Sequence, residues 1–242
     1  MDSNNLIINL TDISFSYPGS PKVLDNLDLQ LSRYDKVGLI GPNGSGKTTL
    51  FHIIMGLLKP LSGKIEIFGK TAKEEKDFIS VRRKIGLLFQ DADDQLFSPT
   101  VLEDVAFGPL NLGRSRDEAV DIARKTLDFL DLGEFEDRLT YKLSGGEKRL
   151  VSLATVLAME PETLLLDEPT TGLDEKTKTK IKKTLCELDL SYILISHDLD
   201  LLFEITDSIY TIKNGKIIVD DKVHLHQHTH AHPHGLYSHK HK

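Results

Sequence analysis

The sequence predicts an α/β protein, a mostly parallel sheet with an inserted block of helices. Three observations predict it. Short apolar segments alternate with amphipathic ones along most of the chain. One apolar segment, residues 36–40, runs straight into Gly41-Pro42-Asn43-Gly44-Ser45-Gly46-Lys47-Thr48, a G-x-x-x-x-G-K-[ST] loop. Another, Leu164-Leu165-Leu166, ends in Asp167-Glu168.

Taken in order, residues 6–15 and 27–31 read as strands, the second with clear alternation, and Tyr17-Pro18-Gly19-Ser20-Pro21 between them is turn chemistry. A helix is expected from Lys47 to about Leu58, ended by Pro60, Ser62 and Gly63. Residues 64–68 alternate as a strand, and residues 85–89 read as a buried one. From about Ser98 to Ala158 the pattern turns helical, with Ala119, Ile122, Ala123, Thr126, Leu127 and Leu130 at helical spacing. Strands return at 163–166 and 192–195, with a helix at 175–188 between them. Asn214-Gly215 between residues 209–213 and 216–219 signals a type I′ hairpin. The expected organisation is one domain over 1–223, with a helical subdomain at about 91–158 and a His-rich disordered tail over 224–242.

Composition narrows the function classes. A chain of 242 residues can bury a substantial core. No window reaches the ~18 apolar residues of a membrane span, residues 51–58 being the nearest. The polar, acidic first residues lack the pattern of a secretion signal. Cys186 is the only cysteine, so no internal disulfide forms and a reducing cytoplasm is expected. A net charge of −7 argues against nucleic acid as a partner. Residues 91–142 hold 13 acidic and 6 basic residues, as much net negative charge as the whole chain. That block reads either as a solvated helical face or as a docking surface for a basic partner.

The glycine-rich loop points to phosphate chemistry. Its backbone N–H groups can wrap phosphates, and the helix behind it adds partial positive charge. Lys47 would reach the β- and γ-phosphates, and the Thr48 hydroxyl would bind Mg²⁺. A carboxylate at a strand's carboxyl end lies where ligands bind in open α/β sheets. Asp167 there would hold Mg²⁺, through water, and Glu168 would polarise an attacking water as general base.

In order along the chain stand Gly41 to Thr49, Gln90, Leu143-Ser144-Gly145-Gly146-Glu147, Leu164 to Glu168, Gly172-Leu173-Asp174 and His197. This series resembles the ATP-binding cassette (ABC) ATPases and spans nearly the whole chain to about Val219. The resemblance implies a P-loop NTPase core of ABC type, with an N-terminal antiparallel β subdomain and the inserted helical subdomain. It implies that Ser144, Gly145 and Gly146 meet ATP bound by a second ABC subunit, identical or not, and that Asp174 sits at the dimer seam. Gln90 would contact Mg²⁺ and the attacking water, His197 the γ-phosphate, and Tyr17 the adenine. Taken singly, Gln90 also reads as a strand-end polar group, His197 as a loop histidine and Tyr17 as a turn residue. Many members carry Gln where Glu147 stands, and activity is expected to survive that departure.

The finer resemblance is to ATPases of energy-coupling factor importers, in particular the cobalt/nickel branch. It rests on Phe15-Ser16-Tyr17-Pro18-Gly19-Ser20, on residues 90–101, on Asp104-Val105-Ala106-Phe107-Gly108-Pro109, and on Glu147-Lys148-Arg149 after the signature glycines. It implies a peripheral subunit at the cytoplasmic face of the membrane, docked on a transmembrane subunit and working with a substrate-binding membrane component. The implied activity is ATP hydrolysis powering uptake of nickel or cobalt. A vitamin importer ATPase, or a soluble ABC ATPase outside transport, would share the catalytic residues.

Eight of the ten histidines fall after Val223: His224, His226, His228, His230, His232, His234, His239 and His241. Alternating imidazoles suit Ni²⁺, Co²⁺, Zn²⁺ and Cu²⁺, and the resemblance to the importer ATPases implies Ni²⁺ or Co²⁺. The same stretch also reads as a polar tail without a role.

Overall fold

The computed structural model describes residues 5–219. Two sheets share the molecule. The first is antiparallel, in the order β2-β1-β4-β5, built from β1 (Leu6–Ser16), β2 (Lys22–Ser32), β4 (Ser62–Ile67) and β5 (Lys70–Thr71). The second has the order β10-β9-β3-β8-β7-β6, from β3 (Lys36–Ile40), β6 (Ile85–Leu88), β7 (Thr163–Asp167), β8 (Ser191–Ile195), β9 (Ser208–Lys213) and β10 (Lys216–Val219). Its pairs are parallel except β9 with β10, which turn through Asn214-Gly215, both at positive φ. That is the hairpin the dipeptide signals.

Alternation along the central strands sorts side chains to two faces. Leu165, Ile193 and Ile195 join the apolar cluster under the antiparallel sheet and α1 (Lys47–Ile54). Leu164, Leu166, Tyr192 and Leu194 join a second cluster. That one is formed with α3 (Val101–Asn111), α4 (Arg116–Phe129), α5 (Gly145–Leu157), α6 (Glu175–Glu187) and α7 (Leu199–Ile205). Burial of each such Leu or Ile is worth about 1.5–3 kcal/mol, so both faces of the sheet are held.

Three details differ from the sequence reading. The first helix ends at Ile54, not near Leu58, because Gly56 turns the chain at φ 69°. A helix not expected, α2 (Glu75–Arg82), forms behind a Glu74/Asp77 capping box; only Phe78 and Val81 of it are buried, too few to give a pattern. The helical stretch is broken between α4 and α5 by irregular chain with short 3₁₀ turns at Gly133–Phe135 and Thr140–Lys142.

The topology sets the site. In register, Leu39 and Asp167 both pair with Ile195, and Leu88 pairs with Leu166. The carboxyl ends of β3, β8, β7 and β6 therefore line up along one edge, and the segments leaving these four strands meet at one crevice.

Candidate functional site

Each of those four strand ends delivers candidate residues. The glycine-rich loop follows β3, Phe89 and Gln90 follow β6, Asp167-Glu168 closes β7, and Ser196-His197 follows β8.

The loop ends in a bare helix N-terminus. Gly46 is the N-cap of α1 at φ 100°, with no side-chain cap and no acidic residue in the first turn. A Cβ there would lie 2.7 Å from Leu24 Cδ2 on β2, so the antiparallel sheet presses the loop from behind. The first-turn N–H groups remain available to an anion. Lys47 is buried, and its Nζ donates to the carbonyls of Gly41 (2.8 Å) and Pro42 (3.2 Å), which holds the ammonium across the loop. Ser45 Oγ is buried without a hydrogen-bond partner among the described residues. Thr49 Oγ1 lies 3.1 Å from the Tyr17 hydroxyl, which brings the Tyr17 ring, itself edge-on to Phe15, alongside α1.

The oxygens proposed for Mg²⁺ are adjacent. Thr48 Oγ1 donates to Asp167 Oδ2 at 2.6 Å. Burial pushes the Asp167 carboxyl up from its ordinary value, opposed by the Thr48 bond. Both residues line a cleft of about 750 Å³ with Gln90, Asp91 and Asp94. A hydroxyl and carboxylates beside a roomy, water-accessible cleft fit a hard cation that keeps several waters.

Glu168 is buried and sits at φ 49°, a strained conformation for a residue with a side chain. Its Oε2 accepts from Thr171 Oγ1 at 2.7 Å. Among the described residues its Oε1 has no hydrogen-bond partner, although His197 Nε2 is 3.3 Å away. That distance is within ion-pair reach, but the pair lacks hydrogen-bond geometry. The carboxylate thus keeps one oxygen free of hydrogen bonds among the described residues, beside an exposed imidazole, an arrangement suited to a general base.

The signature stands apart from this group. Ser144 caps α5: its Oγ accepts from Glu147 N–H, and Glu147 Oε2 accepts from Ser144 N–H at 2.8 Å. Glu147 also accepts from Arg138 Nη1 at 2.7 Å, which, with the Ser144 N–H, holds its carboxyl down to about 2. Gly146 faces Thr177 and Asp174, and Asp174 caps α6 by accepting from Thr177 N–H at 3.0 Å. Hydrogen bonds of Ser144, Gly145 and Gly146 among the described residues run within α5 and not to the phosphate loop. The tail positions His224, His226, His228, His230, His232 and His234 lie outside the described residues.

Two residues not singled out for a role from the sequence belong here. Arg149 bonds the chain around Phe89, Asp167, Glu168 and Pro169, and Gln95 bonds Phe89. A signal existed for Arg149: a charged residue at helical spacing with Leu153 and Val156, on the apolar stripe.

A glycine-rich loop, an oxygen pair for a cation and a free carboxylate at one crevice define a nucleoside triphosphatase of the phosphate-loop class. Comparison with known protein families matches residues 24–171 to the ABC transporter family. A putative ABC transporter ATP-binding protein of Nitratidesulfovibrio vulgaris is 50% identical over 214 residues, 88% of this chain and 78% of that one. The energy-coupling factor transporter ATP-binding protein EcfA of Methanothermobacter thermautotrophicus is 42% identical, covering 88% of this chain and 70% of its own. Among solved structures, cbiO1 of Clostridium perfringens, part of the ABC transporter complex cbiONQ, superposes with TM-score 0.79 at 34% identity over 89% of this chain and 88% of that one. A dimeric bacterial ABC transporter cassette superposes with TM-score 0.78 at 30% identity over 87% and 96%. The chain belongs to the ABC transporter ATPase family, and it is an ATP-hydrolysing transporter subunit.

Proposed function

We propose that this chain is the ATPase of an energy-coupling factor importer for a transition metal ion, nickel or cobalt. The observation that carries the catalytic part is the meeting of Thr48, Asp167, Gln90, Glu168 and His197 at the ends of adjacent parallel strands. Lys47 and the loop N–H groups bind the triphosphate. Thr48, Gln90 and Asp167 would hold Mg²⁺, which when bound would supply charge neutralisation on the phosphates. Glu168 takes the proton of the attacking water, and His197 orients the water and the γ-phosphate.

Two copies, or this chain and a related one, close on two ATP, each lending Ser144, Gly145 and Gly146 to its neighbour's nucleotide, with Asp174 at the seam. Gly145 supports this reading: a Cβ there would meet nothing within 4 Å among the described residues beyond its own turn of helix, so tertiary packing gives no reason for glycine at a helix start. Closure is passed to a membrane partner, at whose cytoplasmic face the chain sits. No helix among the described residues is long and apolar enough to cross a membrane. A docking face is available on the helical block. Phe97 and Phe107 are exposed and stacked edge-to-face at 4.7 Å, and Phe97 follows Asp91, Asp93 and Asp94 closely in sequence. Buried Asp104 accepts from the N–H of Phe97 and Ser98, fixing that loop.

Glu168→Gln tests the chemistry. Turnover is expected to drop about 10²–10⁴-fold, with ATP still bound and a closed dimer accumulating on gel filtration. Turnover near the wild-type rate would remove the base assignment. The metal cargo is supported by the cobalt/nickel resemblance and by the eight tail histidines. Calorimetry with Ni²⁺ and Co²⁺ on the full chain and on one ending at Val223 tests the tail; equal binding by both would exclude it as the metal site.

A further inference from the structure

Among the described residues the catalytic steps leave two buried charged side chains unused, Asp104 and Arg149. Arg149, on α5, is 4% exposed. Its four hydrogen bonds all end on main-chain carbonyls. Nε donates to Pro169 (3.0 Å), Nη2 to Asp167 (2.9 Å) and Glu168, and Nη1 to Phe89. Taking a guanidinium out of water without a hydrogen-bonded carboxylate is costly, and an aliphatic side chain would fill the same space. Packing alone therefore does not account for arginine here.

The groups it holds are specific. The carbonyl it bonds at Glu168 belongs to the left-handed residue, whose N–H donates to Ile195 O at 3.0 Å. Both main-chain groups of that turn are thus tied, one to β8 and one to α5. Phe89, just before Gln90, is tied to α5 once directly and once through Gln95. Its carbonyl accepts from Arg149, and its N–H donates to Gln95 Oε1 at 3.2 Å. Gln95 Nε2 in turn donates to Ser152 O (3.1 Å) and Thr155 Oγ1 (3.0 Å), both on α5. The same helix begins at Ser144, so its capped end and Arg149 are about 7.5 Å apart along one rigid axis at 1.5 Å per residue.

We infer that Arg149 is a positioning residue that fixes Glu168 and the root of Gln90 against α5, so that the position of the Ser144 end of the helix sets the aim of this chain's own carboxylate. The inference rests on Glu168 as general base. It makes each subunit's hydrolysis answer to what its signature touches, because one helix carries both.

Arg149→Lys keeps the charge and the stem but loses the planar fork that reaches four carbonyls. In steady-state ATPase assays its kcat is expected to fall about 10²-fold, the scale of a misplacement near 1 Å, with KM changed less than about threefold. Combined with Glu168→Gln, it is expected to lose less than the product of the two single losses, since one of the two groups that Arg149 holds is that carboxylate. A kcat within about threefold of wild type, a multiplicative loss in the double variant, or a KM that rises as kcat falls would each overturn the inference. Gln95→Met carries the same test from the other tie if the lysine variant does not fold: kcat falls at constant KM, whereas unchanged kcat, or kcat and KM altered together, counts against it. Glu168→Gln alone separates the two claims. If it turns over near the wild-type rate, the base reading fails and this inference with it; if it is inactive while Arg149→Lys is active, only the positioning role falls.

Discussion

Two helices of this molecule begin with glycine-rich sequence, and they begin differently. The N-terminus of α1 has Gly46 as its cap, no side chain on its N–H groups and Lys47 as its first residue. The N-terminus of α5 is closed by its own chain: Ser144 and Glu147 satisfy each other's N–H groups, and Arg138 neutralises the glutamate. Every helix starts with N–H groups that lack an intrahelical partner. In α1 they are left to an anion, so the loop is a cradle that one chain completes alone. In α5 the cap takes the Glu147 N–H, and only the groups at Gly145 and Gly146 are left over. A helix end that is already stable, with a remnant of binding capacity, suits a site completed by a second molecule. This supports reading the two loops as halves of different nucleotide sites.

The comparison breaks most decisively at α1. Lys47→Ala removes the one charge of that cradle, and ATP affinity is expected to fall about 10²–10³-fold, as for other charge-stabilising donors. Among the described residues the side chain bonds only the carbonyls of Gly41 and Pro42, so the unfolding temperature should shift little. Fluorescence titration with a nucleotide analogue, run beside thermal unfolding, reads both. Undiminished affinity would mean that the loop's backbone alone holds the triphosphate.

At α5 the comparison predicts a dissociation of stability from activity. Gly145→Ala places a methyl where nothing lies within 4 Å and improves helix propensity. The fold should gain up to about 0.5–1 kcal/mol. ATP binding by the isolated chain should be unchanged, while ATP-dependent dimerisation and turnover fall. Full turnover in this variant would show that no second molecule approaches Gly145 closely.

Legibility divides along the same line. The loop after β3, α1 and the Asp167-Glu168 strand end could be read directly, because each is a contiguous motif whose chemistry lies in neighbouring letters. The hairpin at Asn214-Gly215 was legible for the same reason. What the letters did not carry was proximity across the chain. Glu168 and His197 come together only because β7 and β8 pair in register. Arg149 reaches Phe89, sixty residues away, only because β6 lies beside β7. A charged residue on a helix looks alike in sequence whether it faces water or the backs of two loops. The helix α2 escaped because its apolar stripe is only two residues wide.

The smallest expected effect separates charge from shape in the α5 cap. Gln can still accept from Ser144 N–H, so Glu147→Gln keeps the capping geometry and loses the ion pair with Arg138. That pair is partly exposed, so its loss should cost about 0.2–1 kcal/mol near neutral pH. The sign of the pH dependence comes from the depressed value. The carboxyl titrates at about 2 in the folded chain against an ordinary 4.5, so the unfolded chain binds the proton first as pH falls. The stabilisation is therefore fully present above pH 4.5 and is lost progressively between 4.5 and 2. Urea unfolding of wild type and Glu147→Gln at neutral pH and at intervals below 4.5 should show the two curves converging as acid is added. A difference that stays constant down to about pH 2.5 would assign the contribution to cap geometry. In that case the glutamate at this position would carry no electrostatic role, and α5 would differ from α1 only in being closed.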